Sequence, residues 1–157
     1  MQNAALVILD DITDWQPYYP SQATVTASEY LLQQNSNTRT QILNLCGDLS
    51  YLSTGYYVSL LAEARGQRVM PSVTTINDLA NFSHYQLLLP ANTDKQINKY
   101  LGQQGQQEPH RVLICFGQSE HPQLTGFARQ IFDRYPCPIL WVEFSYQGRW
   151  FIQRLYA

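Results

Sequence analysis

Gln41-Ile42-Leu43-Asn44-Leu45-Cys46, then Ser53-Thr54-Gly55-Tyr56-Tyr57-Val58-Ser59-Leu60-Leu61-Ala62-Glu63-Ala64-Arg65-Gly66, then Arg68-Val69-Met70 is the stretch on which the fold turns. An apolar run of strand length ends at Cys46, a polar turn follows, and a helix begins near Ser53-Thr54-Gly55. Tyr57, Leu60, Leu61 and Ala64 recur at helical spacing, so their side of the helix is expected to face the core. Gly66 ends the helix, because a residue without Cβ takes the left-handed backbone of a C-terminal cap freely. Arg68 to Met70 then reads as a short strand. Strand, helix and strand in this order indicate a parallel sheet covered by helices.

The alternation continues in both directions. Further strands are expected at Ala5–Leu9, Gln86–Leu89, Arg111–Phe116, Ile139–Phe144 and Trp150–Tyr156. Val112-Leu113-Ile114-Cys115-Phe116 lacks polar alternation, which predicts cover on both faces of that strand. Thr26 with Glu29, Thr75 with Asp78 and Thr93 with Gln96 have the spacing of a capping box or its Asp variant. Pro122 suits the first turn of a helix whose Leu124, Phe127, Ala128, Ile131, Phe132 and Tyr135 share one face until Pro136 stops it. Because this helix lies between two apolar strands, a right-handed βαβ unit is expected there. Gln147-Gly148 then turns the chain into a closing antiparallel strand. The expected fold class is α/β, a mainly parallel sheet flanked by helices with a C-terminal antiparallel β-hairpin; α+β is the alternative. Gly102–Pro109 reads as a surface loop, and Asp10–Ala23 as an irregular aromatic segment.

With 157 residues the chain is expected to form one domain, 1–157. Its 45% hydrophobic, 13% aromatic and 14% charged content excludes a disordered chain, a collagen-like repeat and a coiled coil. Lys plus Arg number 10 against 12 Asp plus Glu, so no positive field is available to hold a nucleic-acid backbone, and no nucleic-acid partner is expected. No run reaches the roughly 18–20 apolar residues of a membrane span, and Ala4–Leu9 runs into Asp10-Asp11, unlike a signal peptide. A cytoplasmic protein without a membrane partner is the expectation. Cys46, Cys115 and Cys137, an odd set without CxxC spacing, read as buried reduced thiols.

Ser, Thr and Gly at a helix head after a strand place N–H groups and the positive dipole end at the sheet's carboxyl edge. Ser53, Thr54, Gly55 and Tyr56, with Tyr51 beside them, therefore read as a binding site for a small anionic metabolite. The competing reading is structural: Ser53 or Thr54 caps the helix and Gly55 lets it pack closely. Gly117 to His121 follows the later strand at the matching edge and would form the opposite wall, or would simply lead into the helix at Pro122. Cys46 reads as a lowered-pKa nucleophile near a helix N-terminus or as a small buried side chain. Glu63 and Arg65 read as a solvated face or a docking surface. His84, His110 and His121 are dispersed, and neither zinc spacing nor a Walker A, GxGxxG or HExxH motif occurs, so no metal site and no catalytic residue are assigned.

Asn44-Leu45-Cys46, Tyr51 and Ser53 through Gly66 closely resemble the signature of the RimK-like ATP-grasp N-terminal domain. Pro71-Ser72-Val73-Thr74-Thr75-Ile76, Phe116-Gly117, Phe132 to Pro136, Pro138-Ile139-Leu140 and Trp150 follow that domain in order and spacing, across essentially the whole chain. The resemblance implies a non-catalytic module fused ahead of a RimK-like ligase, which joins a carboxylate to an amine through an acyl phosphate made from ATP. It would form a wall of the substrate cleft or position the ligase domain, its partner in cis. The cofactors implied, ATP and Mg²⁺, belong to the ATP-grasp domain, which this chain lacks; no cofactor is expected in the chain itself. Where the family pattern carries a basic residue after the Cys, this chain has Gly47-Asp48. A free-standing module for a small anionic metabolite is the alternative function, and homo-oligomerisation stays open.

Overall fold

A computed structural model of the chain describes residues 5–15, 23–34, 37–82, 91–104 and 110–157. It divides into two compact units, Met1–Asn77 and Asp78–Ala157. The architecture is mixed α/β: a parallel four-stranded sheet with helices in the first unit, and an antiparallel four-stranded sheet of C-terminal strands in the second. No helix among the described residues is long and apolar enough to cross a membrane.

The first unit runs β1 (Ala5–Leu9), a 3-10 turn (Ile12–Trp15), β2 (Thr24–Thr26), α1 (Ala27–Leu32), β3 (Gln41–Asn44), α2 (Thr54–Ala64), β4 (Arg68–Met70) and the start of α3 (Val73–Ala80), whose residues from Asp78 on belong to the second. Its sheet order is β2-β1-β3-β4. The capping box at Thr26 is present: the Thr26 hydroxyl accepts from the Glu29 N–H at 3.2 Å, and the Glu29 carboxylate accepts from the Thr26 N–H at 2.9 Å. Ile8 of β1 and Ile42 of β3 are fully buried against Tyr30 of α1 and Val58 and Ala62 of α2. At the end of α2, Gly66 has φ +72°, and the Gly66 and Gln67 N–H groups donate to the Glu63 and Ala62 carbonyls, both at 2.9 Å. This is a Schellman cap, as the position of Gly66 predicts.

The core face of α2 departs from the periodicity reading. Gly55, Tyr56, Val58, Ser59 and Ala62 are buried, whereas Tyr57 and Leu60 are 42% and 41% exposed. Small side chains admit the helix to close range of the sheet, so the face with the least bulk turns inward. Helix α3 is started by Ser72, whose Oγ accepts from the Thr75 N–H at 3.0 Å, three residues ahead of the expected Thr75. Neither Glu63 nor Arg65 is spare surface. Glu63 Oε1 accepts from the Val73 N–H at 2.9 Å, and the Arg65 guanidinium donates to the Tyr30 and Gln33 carbonyls and lies 4.9 Å from the centre of the Tyr30 ring.

The second unit comprises α4 (Ala91–Gln104), β5 (His110–Cys115), β6 (Gln118–Ser119), a 3-10 turn (Pro122–Leu124), α5 (Thr125–Arg134), β7 (Ile139–Tyr146) and β8 (Trp150–Tyr156), in the sheet order β6-β5-β7-β8. The expected strand at Gln86–Leu89 and His84 lie outside the described residues, as do residues 16–22 of the Asp10–Ala23 segment. Thr93 sits inside α4, where its hydroxyl donates to Gln130 Oε1 of α5 at 3.1 Å, so it is a tie between helices and no cap.

The expected βαβ unit joining Arg111–Phe116 to Ile139–Phe144 is corrected by the pairing. β5 and β7 are antiparallel, with His110 opposite Phe144 and Cys115 opposite Ile139. Phe116 and Gly117, at φ +48° and +75°, make a two-residue hairpin turn into β6, which also runs antiparallel to β5. β6 and β7 are therefore parallel to each other with β5 between them, and α5 makes the crossover of a split βαβ unit. Nor does β5 have both faces covered. Val112 and Ile114 are buried, while Leu113 is half-buried and Cys115 and Phe116 are exposed, as befits an antiparallel sheet packed on one side. That side meets Phe127, Ala128 and Ile131 of α5 and Ile97 and Leu101 of α4. The β7–β8 hairpin turns at Gly148, φ +74°, and leaves β8 at the sheet edge, as expected.

Candidate functional site

The carboxyl ends of β1 and β3 open onto the loop that enters α2. Asp10 follows β1, and its Oδ2 accepts from the Gly47 N–H at 2.7 Å. Ser50 holds the Asp48 carboxyl below its usual range through its hydroxyl and its backbone N–H, the latter 2.9 Å from Asp48 Oδ1. Two carboxylates thus occupy the turn where the family pattern has a basic residue.

Ser53 is the N-cap of α2. Its Oγ accepts from the Tyr56 N–H at 3.0 Å and donates to the Asp48 carbonyl at 2.8 Å, while Thr54 is exposed. A Cβ on Gly55 would lie 2.4 Å from the Asp48 carbonyl oxygen, 2.8 Å from Cys46 Cβ and 2.9 Å from Leu49 Cδ2. Only glycine lets the helix seat here. Tyr51 is 72% exposed and meets the Tyr56 ring edge-on at 5.3 Å, and Tyr56 meets Tyr57 the same way at 6.2 Å. Leu52, 56% exposed, has φ +67°, a strained conformation for a leucine. Tyr51, Leu52, Tyr57 and Leu60 together give the α2 head an exposed, uncharged, largely aromatic surface.

Behind this surface lies a residue that periodicity did not single out. Asn44, 2% exposed, donates from Nδ2 to the Gly55 carbonyl at 2.7 Å and to Ser59 Oγ at 2.9 Å, and its Oδ1 accepts from the Cys46 N–H at 3.2 Å. Ser59 Oγ passes the chain on to the Pro71 carbonyl at 2.8 Å. The network satisfies both amide protons and fixes the rotation of α2 on the sheet. Its signal in the sequence was a polar residue inside the apolar run Ile42-Leu43-Asn44-Leu45.

Cys46 is 6% exposed, and burial, with the charge and hydrogen bond of Asp10 added, pushes its thiol up to about 12. A nucleophile at neutral pH needs the opposite shift. The remaining candidates, Gly117 and His121, belong to the second unit, whereas Cys46 and Tyr51 to Tyr56 belong to the first. A Cβ on Gly117 would stand 3.0 Å from Phe132 Cβ, so Gly117 meets both a positive φ and a close approach. The His121 N–H donates to Ser119 Oγ at 3.2 Å, and its ring lies 5.1 Å from that of Tyr100. Among the described residues no group of His, Cys, Asp and Glu has the arrangement of a metal site.

Comparison with known proteins adds the family. The model of the RimK-like ATPgrasp N-terminal domain matches residues 27–157, covering α1, the Asn44 network, the α2 head and the whole antiparallel unit. No curated protein and no solved structure matches the chain. On the extent of that match, the chain belongs to the RimK-like ATP-grasp N-terminal domain family.

Proposed function

We propose that this chain is the non-catalytic N-terminal domain of a RimK-like ATP-grasp carboxylate–amine ligase, a single functional module over 1–157 that positions the ligase domain in cis or forms a wall of its substrate cleft. The family match carries the reading. The exposed surface of Tyr51, Leu52, Tyr57 and Leu60 supports it, because uncharged aromatic and aliphatic side chains exposed close together in sequence suit a domain interface better than they suit water.

ATP and Mg²⁺ are assigned to the ATP-grasp domain. The α2 head does not fit a phosphate chain: the Tyr56 N–H is taken by Ser53, the Gly47 N–H by Asp10, and the space over Gly55 by the Asp48 carbonyl. The same engagements leave the alternative, a free-standing site for an anionic metabolite, without an observation in its favour. In this reading Ser53 and Gly55 hold the surface, Tyr56 backs it, Tyr51 and Thr54 lie exposed on it, and Gly117 and His121 make contacts of their own from the second unit. Three reduced cysteines support a cytoplasmic setting.

The test is amino-acid-dependent formation of ADP from ATP by the natural full-length protein, against a variant carrying Tyr57→Asp and Leu60→Asp. Both positions are exposed, so the fold is retained. At least a tenfold loss of turnover is expected. Unchanged turnover, or equal turnover by the 157-residue chain alone, would contradict the proposal.

A further inference from the structure

His110 opens β5 opposite Phe144 of β7. Its ring stands edge-on to Tyr100 of α4 at 6.3 Å and to Trp150 of β8 at 6.4 Å. Its Nε2 is buried and has no hydrogen-bond partner among the described residues. A buried polar atom without a partner needs a physical account. In the neutral ring the unprotonated nitrogen is only an unused acceptor, whereas in the imidazolium both nitrogens are charged donors, and a buried donor without an acceptor is the costlier state.

The titratable groups facing this ring make that cost larger. From α4 comes the Tyr100 phenol, whose own pKa burial raises, and from the segment after β6 comes His121, whose ring lies 5.1 Å from that of Tyr100. β7 and β8 offer Phe144 and Trp150, which carry no charge. The one charge acting on His110 among the described residues is therefore a second imidazole. The seam also holds α4 to β8, since Asn98 Oδ1 accepts from the Trp150 N–H at 2.7 Å and its Nδ2 donates to the Asp94 carbonyl at 2.9 Å.

We propose that His110 is an acid-sensitive latch of the antiparallel unit: protonation at its buried Nε2 opens the seam between β5, α4 and β8. The device is independent of the ligase reading and survives or fails without it. Burial first, and the His121 charge second, place the His110 pKa below the 6.5 of a free imidazole. The unfolded chain then binds the proton more readily, so this contribution is whole above pH 6.5 and is lost as pH falls from there through the folded value. Asp11, Glu29 and Asp48, all held below their usual range by hydrogen bonds, titrate beneath this window.

The test is thermal unfolding of the 157-residue chain at pH 7.5 and pH 5.5, together with a titration of the His110 ring protons by NMR. The expected results are a Tm lower by roughly 3 °C or more at pH 5.5, a His110 midpoint below 6.5, and a midpoint that moves up toward 6.5 in His121→Asn. His110→Phe, which keeps an aromatic ring in the seam, should abolish the pH-dependent drop. A His110 midpoint at or above 6.5, or a folded His110→Phe chain with the drop intact, overturns the proposal. Should His110→Phe not fold, the wild-type midpoint decides alone.

Discussion

Each unit begins its main helix with the same three kinds of residue: Thr54-Gly55-Tyr56 in α2 and Thr125-Gly126-Phe127 in α5. The two glycines have opposite jobs. Gly55 is buried, and a Cβ there would meet the Asp48 carbonyl oxygen at 2.4 Å; Gly126 is exposed, with nothing within 4 Å of a Cβ. Ser53 caps α2 through the Tyr56 N–H, whereas α5 has no side-chain cap and continues from the 3-10 turn at Pro122–Leu124. The first unit is set by close approach and a buried amide network, the second by a broad apolar core around Phe127, Ile131 and Phe144. A short motif therefore says where a helix starts, but what surrounds the glycine decides whether it is a joint or a convenience.

The largest contrast should appear at the thiols. Cys46 is buried beside Asp10 and pushed up to about 12, while Cys115 is exposed. Alkylation of the native chain with iodoacetamide at pH 8 should label Cys115 on the order of 100-fold faster than Cys46, with the gap closing in urea. Peptide mapping by mass reads it, and prompt native labelling of Cys46 would revive a thiol chemistry for the site. Next comes Gly55→Ala, expected to cost about 3 kcal/mol in urea unfolding because the nearest atom to the new Cβ is the Asp48 carbonyl oxygen, so backbone must move. Asn44→Ala should cost about 2–3 kcal/mol, since it strands the Cys46 N–H in the interior and removes the amide's bonds to the Gly55 carbonyl and Ser59 Oγ. The smallest effect belongs to Gly126→Ala, where a gain of a few tenths to about 1 kcal/mol is expected from helix propensity. Equal effects at the two glycines would erase the distinction between the units.

Much of this was legible beforehand. β1, β4 and β8 lie where apolar runs begin and end, Thr26 and Glu29 form their capping box, and Gly66 and Gly148 take the left-handed backbone that their positions called for. What periodicity missed has physical causes. Hydrophobic spacing weights bulk, so it turned Tyr57 and Leu60 inward, yet the closest approach belongs to Gly55, Ser59 and Ala62. Strand β6 has two residues, too few to show a period, and without it the crossover of α5 was attached to β5 in place of β6. Phe116 concealed the turn, because a left-handed position in a tight hairpin ordinarily carries Asn, Asp or Gly. At the candidate site, Ser53, Gly55 and Tyr56 were found as residues, and a Ser53 cap was one of the two readings, while the closure of the loop over Gly55 and the amide network behind it depend on Asp48 and Asn44, which only the folded chain brings there.

The central claim is that this fold works as one part of an ATP-grasp ligase. Its most direct test is the intact mass of the endogenous polypeptide, captured from a native lysate with an antibody against this domain and weighed by mass spectrometry. The account predicts a chain far heavier than 18.1 kDa whose additional sequence includes an ATP-grasp domain. A product at 18.1 kDa would contradict a partner in cis.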